Sequence, residues 1–136
     1  CEDSQRRFFT SRQLGENSRS SADGDSTLVT ITACTLKDGV NYSEAYDWIN
    51  TRTLAREAAG DTRVSSMVLG VLGRSADGNG LGRLMGVRAI GRSAAEMARA
   101  MDRLWANDGQ SPDYAMTPAE SCQDPVLYKS YFVGSN

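Results

Sequence analysis

LMGVRAIGRSAAEMARAMDRLW, Leu84 to Trp105, decides the architecture of this chain. Leu84 to Ile90 reads as a strand, and Gly91 breaks it. Ser93-Ala94-Ala95-Glu96 then has the S-x-x-E spacing of a capping box, in which each side chain satisfies a backbone N–H of the other's residue. Behind it Ala94, Met97, Ala98, Met101, Leu104 and Trp105 recur at three- and four-residue steps, one apolar face of a helix. The spacing predicts a strand, a tight turn and an amphipathic helix. It carries no catalytic signature.

The same alphabet recurs upstream. Thr27 to Cys34, TLVTITAC, is dense in β-branched residues and reads as a first strand. Lys37-Asp38-Gly39 is a turn, and Asn41 with Glu44 three residues on predicts a capped helix running to about Ala59. Asn41-Tyr42-Ser43 also matches a glycosylation sequon, which the capping role explains better. Ala45, Trp48, Ile49, Arg52, Ala55 and Ala59 share one face of this helix, while Asp47 and Glu57 read as solvated charges. Ser65 to Leu72 is a second strand. Gly73 to Gly82 is a flexible link to the third; its Gly78, Gly80 and Gly82 precede a strand, so no helix N-terminus awaits a phosphate. Asn107-Asp108-Gly109 stops the second helix. Gln110 to Pro125 reads as a long irregular connection with Pro112, Pro118 and Pro125, and Val126 to Val133 as the last strand.

Composition narrows the function classes. The 136 residues suffice for one domain with a core. A net charge of −2 and a pI near 5.1 argue against a nucleic-acid partner. No apolar run is long enough to span a bilayer. The chain contains no histidine, which removes Ser-His and Cys-His nucleophile pairs and His-ligated zinc or haem. Cys1, Cys34 and Cys122 lack metal-ligand spacing, so neither a metal nor a cofactor is expected. A leading cysteine before a polar stretch resembles a processed bacterial lipoprotein; a lipid on Cys1 would be the one link to a membrane. Residues 1–26 read as a polar N-terminal arm, with only Phe8, Phe9 and Leu14 able to anchor it. The arm is expected to lie on its own domain or on a neighbouring subunit. Asp23-Gly24-Asp25 reads as a turn and not a calcium loop.

Strand, helix, strand, strand, helix, strand over residues 27–136 predicts an α+β, ferredoxin-like fold. It would have four antiparallel strands in spatial order 4-1-3-2 and two helices on one face. In that order the first and last strands are neighbours, which brings Cys34 beside Cys122 and predicts a disulfide and an oxidising compartment. By element order and patterning alone, Thr27 to Val133 resembles the dimeric α/β-barrel superfamily. That resemblance implies cofactor-free monooxygenases, isomerases, haem-dependent members and members without known activity. A cavity between sheet and helices would be lined by Tyr46, Trp48, Arg88, Trp105, Tyr128 and Tyr131. In an enzyme, Arg88 would hold an anionic oxygen and Tyr128 or Tyr131 would exchange a proton; otherwise the aromatics are core. With no histidine and no carboxylate pair, the sequence favours a secreted or lipid-anchored structural or binding protein acting through self-assembly. A small cofactor-free oxygenase or isomerase, or a periplasmic small-ligand carrier, is the alternative. Apolar residues on both faces of the strands predict a homo-oligomer formed through the open sheet face.

Overall fold

The computed structural model describes residues 9–18, 26–70, 84–106 and 117–131. In chain order these form β1 (Phe9–Leu14), β2 (Ser26–Leu36), α1 (Tyr42–Ala58), β3 (Val64–Gly70), β4 (Leu84–Ile90), α2 (Ala94–Ala106), β5 (Ala119–Cys122) and β6 (Val126–Tyr131). All strand pairs are antiparallel. The sheet runs β1-β3-β4-β2-β5, with β6 also on β2.

This is a six-stranded sheet, not the expected four-stranded ferredoxin-like one. Two segments make the difference. Phe9–Leu14, expected within the polar arm, pairs residue by residue with β3. An edge strand needs apolar side chains only where it meets the core, and Leu14 meets it, with no exposed surface at all. Ser11, Arg12 and Gln13 stay exposed, which is why the segment reads as a tether. Ala119–Cys122, expected within the irregular connection, pairs with the C-terminal end of β2. β2 is 11 residues long, so it accepts β5 and β6 end to end along one side. From Ile31 to Cys34 β2 advances three residues while its neighbour advances four, from Val126 to Cys122. The extra residue falls in Gln123-Asp124-Pro125, the link between β5 and β6, where the Gln123 N–H donates to the Ala33 carbonyl at 2.8 Å; within the β2–β5 ladder itself the register shifts between Thr35 and Leu36.

Residues directly opposite in an antiparallel pair share a face, so the register sorts the side chains. The inner face carries Leu14, Met67, Met85, Cys34, Leu36 and Ala119, packed with Ala45 and Ile49 of α1 into one core. α1 starts where the sequence says: the Asn41 side chain accepts from the Glu44 N–H, and the Glu44 carboxylate accepts from the Asn41 N–H, both at 3.0 Å. α2 shows the Ser93 half of its box, the Glu96 N–H donating to Ser93 Oγ at 3.2 Å, and docks through buried Met97 and Ala100.

Candidate functional site

The sheet face turned away from α1 is the surface with the most unspent chemistry. One cross-strand row reads Val64, Ile90, Val29, Tyr128, and the next Ser66, Arg88, Ile31, Val126. Val68, Gly86 and Ala33 form a third, and Leu84 lies beyond them opposite Thr35. Val29 is buried; Ile31, Val64, Val68 and Ile90 are half-buried. Leu84, Val126 and Tyr128 are exposed, so three of the five large apolar side chains exposed among the described residues share this face.

The residues expected to line one cavity do not converge. Arg88 lies on this outer face, where its Nε donates to Ser66 Oγ at 3.1 Å. Tyr46 and Trp48 pack from α1 against the inner core. The Tyr46 hydroxyl donates to the Gln13 carbonyl at 2.8 Å, and the Arg12 guanidinium stacks 3.6 Å from its ring centre. Arg52 sits 4.7 Å from the Trp48 ring centre. These cation–π and hydrogen-bond contacts tie α1 to the edge strand and along itself. The sheet separates them from Arg88. Tyr128 shares the outer face with Arg88 but stands two strands away, with Ile31 and Val29 between, roughly 12 Å by strand spacing and rise. The side chains of Trp105 and Tyr131 lie outside the described residues, as do Cys1, the Asp23-Gly24-Asp25 turn and the glycines at 78, 80 and 82.

A polar cluster at one end of the sheet escaped the sequence reading. Glu57 is not a solvated charge. Its carboxylate accepts the N–H groups of Glu16 at 2.7 Å and Asn17 at 3.2 Å, and Asn50 accepts that of Gly15 at 2.8 Å. Gly15 has φ +70°, and a Cβ there would overlap the Glu57 carboxylate. Asn17 donates to the carbonyls of Asp61 and Arg63. Asp61 pairs with Arg63 at 2.6 Å, with side chains only 11% and 4% exposed. Burial works against the Asp61 charge, but hydrogen bonds from the Arg63 side chain and backbone, and the charges of Arg63 and Arg56, hold its carboxyl below the usual range. Burial, with Arg63 nearby, lowers Arg56. The Thr62 hydroxyl donates to Glu96 and Arg103 to the Gly60 carbonyl, closing α2 onto the same end. A cavity of about 80 Å³ remains, lined by Gly60, Asp61, Thr62, Glu96, Arg99, Ala100 and Arg103. It is smaller than the usual size of a ligand pocket, roughly 300–1,000 Å³. Local spacing reveals only the Asp61–Arg63 pair of this cluster; the bonds that join β1 and its following turn, α1 and α2 to it span 34 to 46 residues.

Cys34 and Cys122 are bonded, their sulfurs 2.07 Å and their Cα atoms 4.0 Å apart across the β2–β5 pair. Among the described residues no group of three His, Cys, Asp or Glu side chains is placed to hold a metal ion, and no helix is long and apolar enough to cross a membrane. No family model, curated protein or solved structure matches this chain.

Proposed function

We propose that this is a structural or binding protein of an oxidising compartment that acts through self-assembly, a second copy packing on the outer face of its sheet. The observation that carries the reading is the set of apolar side chains across that face, Val64, Ile90, Val29, Ile31 and Val68 with exposed Leu84, Val126 and Tyr128, interrupted only by the Ser66–Arg88 pair and Gly86. A monomer usually confines such patches to roughly 300–600 Å². A twofold axis makes one face complementary to its own copy. The disulfide supports the compartment, since such bonds persist where thiols are not kept reduced.

Sedimentation velocity across a concentration series tests the reading. Leu84→Lys alters an exposed side chain on this face and should shift the oxidised chain toward monomer without lowering its unfolding midpoint. A parent chain that stays monomeric at the highest attainable concentration removes the proposal.

A further inference from the structure

We infer that Cys122 is a thiol-exchange site: a small thiolate from solution attacks its sulfur, forms a mixed disulfide there, and leaves Cys34 as a protected thiol in the core. Both cysteines lie on the α1 side of the sheet, so the site owes nothing to the outer face and its assembly.

The two halves of the bond differ in access. Cys34 is 5% exposed and packs in the core cluster with Leu36, Met85 and Ala119. Cys122 is exposed. It ends β5, which among the described residues pairs with β2 alone. Thiol–disulfide exchange needs the attacking, attacked and leaving sulfurs in line, so each sulfur is reached from the side opposite its partner. Met85, Cys34 and Cys122 form one cross-strand row. The approach to Cys34 therefore comes across β4, where Met85 is itself buried. The approach to Cys122 comes from beyond the edge of the sheet, where no strand lies among the described residues.

The chemistry closes without any further reagent. The thiolate sulfur bonds to Cys122 Sγ, the Cys34–Cys122 bond breaks, and its electron pair goes to Cys34 Sγ, which takes up a proton. The incoming sulfur is oxidised from thiolate to disulfide, and Cys34 is reduced from disulfide to thiol. Apolar surroundings disfavour a thiolate, which slows the departure of Cys34 without opening a path to its sulfur. The same placement makes the step reversible, because Cys34 stays opposite Cys122 and can expel the small thiol. With the bond open, β5 keeps its short ladder to β2 and two flanking hydrogen bonds. These run from the Lys37 N–H to the Pro118 carbonyl at 2.9 Å and from the Gln123 N–H to the Ala33 carbonyl at 2.8 Å.

Mercaptoethanol added to the full oxidised chain in native buffer, after alkylation of any free thiol, tests the site. Acid quenching and peptide mapping should find the mixed disulfide on Cys122 in about tenfold or greater excess over Cys34. The exchange rate should stay constant within about twofold in urea below the unfolding transition, because the folded chain already presents the sulfur. Amide exchange at Lys37 and Gln123 should quicken in the treated protein while that of β4 stays slow. Adducts divided equally between the two cysteines, or a rate that climbs with urea in step with global unfolding, would mean that the sulfurs are reached only in the unfolded chain. Either result overturns the site, and so does a folded chain that forms no adduct.

Discussion

Reducing the Cys34–Cys122 bond is the most informative single perturbation. The bond closes a loop across 88 residues of sequence. In the chain-entropy treatment, releasing a loop of that length frees the unfolded ensemble by about 4.6 kcal/mol at 25 °C. Domains of this kind are stable by ~5–15 kcal/mol, so the bond accounts for a third or more of the margin. Reduction is cleaner than substitution, because Cys34 is 5% exposed within the core and truncating it would add a void. Without the bond, β5 is held by a short ladder to β2 at Cys34, Thr35 and Leu36, by the flanking Lys37–Pro118 and Gln123–Ala33 backbone hydrogen bonds, and by buried Ala119. Urea unfolding of oxidised and reduced protein, each with its thiol count checked, measures the effect. The expected result is a loss of ~4–5 kcal/mol, a steeper denaturant slope because the reduced unfolded chain exposes more surface, and a melting temperature lower by roughly 15 °C. A reduced protein within 1 kcal/mol of the oxidised one would refute the loop-closure argument.

Two further outcomes follow from the core and the polar cluster. Asp61→Asn leaves the Arg63 guanidinium buried without its counter-charge and should cost about 3–5 kcal/mol in urea unfolding. Because the folded carboxyl of Asp61 sits below its usual range, its contribution is present above about pH 4, the unfolded value. It is lost as pH falls through the folded value, so the acid limb of the stability profile should be shallower in Asp61→Asn than in the parent. Leu14→Ala, at a position with no exposed surface, should cost about 2–5 kcal/mol by thermal or urea melts; a cost near zero would mean that β1 is dispensable.

Local chemistry was legible in the sequence. The Asn41–Glu44 box forms because its two side chains lie three residues apart and need nothing from the rest of the chain. Strands at Thr27, Ser65, Leu84 and Val126 are written in β-branched and apolar runs; the Leu84–Ile90 strand has the bounds its pattern suggests, while the first runs one residue earlier and two residues later than its pattern and the second starts one residue earlier. The disulfide was legible too, because placing the first and last strands side by side is enough to bring Cys34 to Cys122. What the sequence hid was whatever depends on a distant partner. Phe9–Leu14 looks like a tether because an edge strand can be polar everywhere except at the one residue, Leu14, that enters the core. Ala119–Cys122 looks like loop because four residues carry no period, and only the length of β2 gives them a place to pair. Arg88 and Tyr46 look like neighbours in a cavity because both are suited to line one. The cross-strand register alone, which sets Arg88 beside Ser66 and Val87 beside Met67, puts the sheet between them. Side-chain identity fixes which groups are available; the parity of each strand's pairing decides which face they serve.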